Sequence, residues 1–530
     1  MRIIVKKIVI NKLLTMAYIV EQTIKGKIYL YNVESYWDKA KKQSRQKRTY
    51  IGPKNPVKKA ISKQELKEIT IKKYGSVFLL KYMSEKIGLK KILSEIFPEN
   101  FDEILNLCYY QISDENPEYL FEYWFEQNYL QDSKKMSSSK ISELYTNIGN
   151  SQVDIKLFLK NWIEYLNPIK TIYYDITSIS SYSENNDFIE WGYNRDGEKL
   201  AQLNLGLVYC KESSLPIYYQ SYTGSLTDVK TLKNTVKFLS GFGLKEFLLI
   251  LDRGFFSTSN ILSLAKDKSK ISFIQPLPFS LKKVRELARK YARETSDYSN
   301  AFLYNDSLLY HSSDTIDFED ETFNAHIFLN EKTKQAQKEA FLKSLLSIEQ
   351  RFKNKTFESL KEYKDFRNNE IPDKFKLFFK WRKFDKKIEK NRRAINEYLS
   401  KNGIFVMANN TDLDRLQIID YYRSKDNIEK VFDVMKNELL GKRLRAHSKE
   451  SAEGRLFVKF ITSILYSSIS KIMKEKALFK NYSLRELMLE LNKIQRTQIN
   501  KKNIIFSELT KKQNKILEAF DINWKEKHSY

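Results

Sequence analysis

Apolar and polar residues alternate through residues 18–51, in the stretches AYIVEQ and KIYLYNV on either side of Gly26. A period of two predicts short strands, and the glycine between them suits a turn. The basic run KAKKQSRQKR follows, readable as a solvated loop or as an arm that touches DNA, then a third short strand at TYIG. Pro53 and Pro56 punctuate a linker, and from about residue 76 to 165 the period becomes helical, as in SVFLLKYMSEKIG and PEYLFEYWFEQNYL. No helix-turn-helix is identifiable there.

From residue 170 the β-formers return. KTIYYDITSIS, QLNLGLVYC and LPIYYQSYTG predict three consecutive strands, with a turn at Gly224 and Ser225. Asp228 opens a helix to about Leu239, KEFLLILD is a short apolar strand ending at Asp252, and a helix and the strand ISFIQP complete the order β-β-β-α-β-α-β. A meander leading into alternating units gives an α/β fold, a mixed sheet covered by helices. Charged helices and short β pieces at about 280–400 look like an insertion before the strand GIFVMANN and the helix DYYRSKDNIEKVFDVMKNELL. The expected organisation is a small β unit with a basic loop (1–56), a helical, DNA-binding module (57–167), a catalytic domain (168–475) and a helical tail (476–530).

Composition narrows the partner. Lys and Arg total 92 against 66 Asp and Glu, a net charge of +26. That excess favours a polyanion, because phosphates exchange condensed counterions for basic side chains. Lys, Asn, Ile and Tyr are all abundant, and an AT-rich coding bias supplies the same residues. Cys108 and Cys210 sit in apolar stretches, and the four histidines (His311, His326, His447, His528) are scattered, so neither disulfides nor a zinc site is indicated and a reducing cytoplasm fits. The first sixteen residues lack the form of a signal peptide, and Met16 is an alternative start. The most apolar stretch, Phe457 to Met473, is broken by lysines and serines and reads as a buried helix.

Chemistry without a nucleophilic Cys or a His base leaves carboxylates. Acids gathered by the fold make an oxygen cage for Mg²⁺ or Mn²⁺, and two such ions can assist in-line displacement at phosphate. Asp175 interrupts an apolar strand, where a carboxylate is costly unless partnered. Asp252 ends FLLIL. On a continuous helix Tyr422, Lys425, Glu429 and Lys436 fall within about 60° of one another, beside an apolar stripe of Ile428, Val431, Phe432, Met435 and Leu439. Each acid also has a plain structural alternative: an outward-facing strand position, a turn aspartate, a solvated helix face.

The blocks YYDITS, GYNRDGEKLAQLNLGLVYCKESSLPIYYQSYTGSLTDVKTL, LILDRGFF and YYRSKDNIEKVFDVMKNEL resemble, in order, DDE transposases of bacterial insertion sequences. More narrowly they are similar to the insertion-sequence-four superfamily and its sixteen-thirty-four-like subgroup, over about residues 18–475. The resemblance implies a ribonuclease-H-like core, with Asp175, Asp252 and Glu429 as catalytic residues and ligands of Mg²⁺ (Mn²⁺ substituting), two ions in all. It implies DNA contacts from Tyr422, Lys425 and Lys436, with Lys425 standing where the family signature has Arg, so that the charge is kept and the bidentate fork lost. Arg423 is nearby but on another side of the helix. The implied activity is nicking at the element's terminal inverted repeats and strand transfer into target DNA, with a homodimer in the DNA complex, in a bacterial cytoplasm at the nucleoid. Trp381 is a candidate for the aromatic residue with which some members flip a base. Two other readings stay open: a DNA-binding descendant that has lost catalysis, and a nuclease of similar fold that cuts without joining.

Overall fold

The alternation at the start of the chain becomes an antiparallel sheet in the computed structural model: β1 (Ala17–Ile24), β2 (Lys27–Asp38) and β3 (Gln43–Pro53), in that order. Ile24 pairs with Lys27, leaving a two-residue loop in which Lys25 and Gly26 both have positive φ, 49° and 80°. Such a turn matches the twist of the strands it joins, and glycine adopts it without strain. The basic run is less of a loop than its composition suggested. Only Lys39–Lys42 form the turn, while Arg45, Lys47 and Arg48 lie on β3, which is exposed along most of its length. The structure describes residues 17–54, 69–114, 116–131, 133–182, 189–195, 197–226, 228–267, 270–291, 297–353, 355–435, 443–500 and 503–528. Met16 and Lys436 lie outside them.

Two compact units emerge, Met1–Ile71 with Arg496–Ser507, and Lys72–Gln495 with Glu508–Tyr530. A second three-stranded sheet is made of β4 (Ile69–Lys73) and two late strands given below. The central sheet has nine strands among the described residues. Its first half is β5 (Thr171–Ser180), β6 (Gln202–Cys210), β7 (Leu215–Thr223), β8 (Leu248–Ile250) and β9 (Ser272–Pro276). The spatial order is β7-β6-β5-β8-β9, with β5, β6 and β7 antiparallel and β5, β8 and β9 parallel. That is the expected ribonuclease-H-like arrangement. β5 lies at its centre and is buried at every position but one, the exception being Asp175.

The insertion extends this sheet. β10 (Ala301–Tyr304), β11 (Ser307–Phe318) and β12 (Glu321–Asn330) continue it at the β9 side, joined through β15 (Ile404–Asn409), which pairs antiparallel with both β12 and β9. Between β12 and β15 the chain makes helices and the hairpin of β13 (Phe379–Arg382) and β14 (Lys387–Lys390), around a separate small core of Phe341, Leu345, Ile348, Phe352, Phe375 and Phe378. Trp381 is half-buried on β13, opposite Ile388. The tail carries strands as well as helices: β16 (Gln495–Ile499) and β17 (Asn503–Phe506) complete the β4 sheet.

The expected helical module does not stand apart from the central sheet. Helices of residues 75–166 share one hydrophobic core with it, bridged by the helix Lys449–Glu475. By length and composition that helix would cross a membrane, but 78% of its apolar window is buried in the protein. It packs most extensively on the helix Ser138–Asn150, and glycines make the approach possible. A Cβ at Gly149 would stand 1.8 Å from Glu450 O, and one at Gly454 1.8 Å from Tyr145 O.

Candidate active site

Strand register explains why two distant aspartates meet. β5 and β8 are parallel, with Tyr173 opposite Ile250. Asp175 and Asp252 each lie two residues further on, one pleat along, so they reach the same level on the same face. β8 itself ends at Ile250, and Asp252 precedes a short turn, Arg253–Phe255. Its carbonyl accepts from Phe255 N at 3.1 Å and from Gln275 Nε2 of β9 at 2.8 Å, which ties the turn to the sheet.

The third carboxylate comes from a helix whose periodicity predicts one continuous element. Instead there are two, Arg415–Arg423 and Asp426–Asp433. At the joint Lys425 N donates to Tyr422 O and Asn427 N to Ser424 O, both at 3.2 Å, while Asn427 Nδ2 donates to the Ser424 carbonyl at 3.0 Å. Side-chain competition for a carbonyl and tighter three-residue turns break the helix there. The break carries Lys425 inward. It is buried, not placed on an exposed rim, whereas Glu429 is exposed and Tyr422 half-buried.

Lys425 therefore stands among the acids. Its Nζ lies 3.5 Å from Asp175 Oδ2, 3.4 Å from Asp252 Oδ1 and 3.5 Å from Glu429 Oε1. Side-chain exposure rises from 9% at Lys425 through 17% at Asp175 and 42% at Asp252 to 57% at Glu429, so the cluster has a floor and an open rim. Burial pushes the Asp175 carboxyl up to about 6, against the opposing pull of Lys425 and of the Ile176 N–H that donates to it at 2.8 Å. Burial alone would lower the Lys425 ammonium, but Asp175, Asp252 and Glu429 outweigh it and hold the proton more tightly than usual. Tyr422 is raised by burial and then by the charge of Asp252.

As a donor set, three carboxylates converging on one cation suit a hard divalent ion, which prefers oxygen. The cation they surround here is an ammonium, and the spacing is that of ion pairs. Among the described residues no three His, Cys, Asp or Glu are grouped to hold a metal.

A polar cluster that sequence reasoning passes over lies on the other face of β5. Arg195 donates through Nη1 to Ser178 Oγ at 3.1 Å and to Asn204 Oδ1 at 3.3 Å, and pairs through Nη2 with Asp228. A side-chain carbon at Gly254 would stand 3.3 Å from Asp228 Oδ2, which places the cluster against the Asp252 turn. Its sequence signal is only the charged run GYNRDGEK, with nothing to indicate that Arg195 and Asp228 would meet.

The transposase DDE domain model matches residues 168–465, over half of the 530-residue chain, and the stretch contains all three carboxylates. No curated protein matches the sequence. Among solved structures, the piggyBac transposase synaptic complex with hairpin DNA is similar at a TM-score of 0.37 and 11% identity, covering 78% of each chain. With the sheet order, the level placement of the two aspartates and the family match together, the chain belongs to the transposase DDE domain family.

Proposed function

We propose that this protein is the transposase of a bacterial insertion sequence, of the insertion-sequence-four kind, and that Asp175, Asp252 and Glu429 are its catalytic residues. The observation that carries the reading is their convergence on one cation at the open end of the β5–β8 pair. Asp175 is fixed in the central strand and forms the floor; Asp252 and Glu429 are the more exposed pair, so the scissile phosphate approaches from their side. Mg²⁺ or Mn²⁺ ions held there would supply positive charge at the phosphate and ease deprotonation of the attacking water or 3′-hydroxyl. Tyr422 and Lys436 are proposed to contact the DNA strand beside the site. A homodimer acting on double-stranded DNA, terminal repeats and target, in the cytoplasm at the nucleoid, completes the reading.

The test is a plasmid carrying the terminal repeats that flank the reading frame, incubated with the purified chain and Mg²⁺ or Mn²⁺. Nicks at the repeat ends followed by joined products are expected. Asp175→Ala, Asp252→Ala and Glu429→Ala should each lower both by at least about a hundredfold, the loss of several kcal/mol of charge stabilisation. Cutting without joined products would leave a nuclease instead. Binding without cutting would leave a non-catalytic DNA-binding protein.

A further inference from the structure

We propose that Lys425 is an internal counter-ion that occupies the cation position of the carboxylate cluster and must withdraw from it before a divalent ion binds. The inference rests on the reading of Asp175, Asp252 and Glu429 as metal ligands and concerns how that site is loaded. An ammonium has three N–H donors and no acceptor. Here three carboxylates surround it, each at 3.4–3.5 Å. The side chain is nearly sealed from water, and among the described residues it is the cation that pairs with all three acids. Two cations cannot share that position: a divalent ion sits at about 2.0–2.6 Å from each oxygen, and the ammonium would face it with like charge across a few ångströms.

The geometry also gives Lys425 a way out. It sits at the joint between two short helices, on a flexible four-carbon stem, with the exposed Glu429 beside it at the rim. A DNA phosphate arriving at that rim offers the displaced ammonium a new partner. Loading of the metal is thereby coupled to arrival of DNA, and the coupling is reciprocal, as any linkage between two ligands must be. An Arg at this position would keep the charge but spread it over a rigid planar fork.

The experiment measures Mn²⁺ binding to the full-length chain by calorimetry, and by paramagnetic resonance of free Mn²⁺, without DNA and then with a 20-base-pair duplex of arbitrary sequence. Lys425→Met should bind Mn²⁺ about tenfold or more tightly than the parent without DNA, because a competing charge is gone. Lys425→Arg should resemble the parent. The duplex should tighten Mn²⁺ binding by the parent severalfold and leave Lys425→Met almost unchanged. Lys425→Gln, equally uncharged, runs alongside in case the Met variant does not fold. Unchanged or weaker Mn²⁺ binding by the uncharged variants, with only DNA affinity reduced, would overturn the proposal and leave Lys425 a phosphate-binding residue. Adding Asp175→Asn to Lys425→Met distinguishes failure of the counter-ion role from failure of the ligand assignment: if tight Mn²⁺ binding survives that change, the ion sits elsewhere and the ligand assignment itself fails.

Discussion

At Asp175, burial and charge pull against each other. The folded-state value of about 6 lies above the ordinary 3.8, so between those values the folded chain takes up a proton that the unfolded chain does not. Ionised Asp175 therefore costs stability at neutral pH, and the cost is relieved as pH falls through 6 toward 4. Asp175→Asn should stabilise the metal-free protein by on the order of 1–3 kcal/mol at pH 8 while abolishing catalysis. Urea midpoints of the two proteins should converge by about pH 4; a variant less stable than the parent at pH 8, or a gap that ignores pH, would refute this account. Asp175 is legible as an odd carboxylate in an apolar strand. Its meeting with Lys425 is not, because a continuous-helix projection places Lys425 on a rim.

Among the elements, β11 and β12 carry a histidine pair. His311 Nε2 and His326 Nδ1 lie 2.9 Å apart with their rings stacked. Burial, and for His311 also its neighbour, lowers both, His311 to about 4. His311 stays neutral in the fold while the unfolded chain protonates near 6.5, so its contribution is intact above 6.5 and is lost as pH falls toward 4, and the lowering of His326 acts in the same direction. Replacing both with Gln should remove about 1–2 kcal/mol of the stability difference between pH 7 and pH 5, read from urea melts at each pH. An undiminished difference would place the acid sensitivity elsewhere. The crossing of Ser138–Asn150 with Lys449–Glu475 makes a second prediction. Gly454→Ala sets a methyl against the Tyr145 carbonyl, a backbone atom that cannot rotate away, so about 3 kcal/mol of stability should be lost. A melting temperature unchanged from the parent would mean that the helices separate freely. Neither crossing glycine announces itself in the sequence, since a helix-interior glycine reads only as a weak helix former.

Across the whole molecule, the net charge of +26 predicts DNA binding that weakens steeply with salt. The basic residues of β3 are exposed on a strand, a fixed array and not a loose arm. Replacing Arg45, Lys47 and Arg48 with Ala should reduce the slope of log affinity against log salt by up to about 3, roughly one for each phosphate left unneutralised. Titrations at several salt concentrations check this, and an unaltered slope would remove β3 from the DNA surface.

Much of the architecture is local and is legible for that reason. Runs of β-formers mark β5, β6 and β7, a short apolar run marks β8, and turn residues mark the hairpin at Gly26. The order of those elements is enough for a ribonuclease-H-like core, and a carboxylate in an apolar strand is costly enough to mark itself. What the tertiary structure decided depends on distance in space. Parallel register brings Asp175 level with Asp252. A side chain capturing one carbonyl breaks the helix at Ser424, and that break sends Lys425 into the carboxylates. β15 enters the sheet between β9 and β12 although three α-helices and a hairpin separate it from β12 in the chain. Periodicity records which face of an element is apolar, whereas the partner that face meets, and the charge waiting there, are fixed only by the packing of the whole chain.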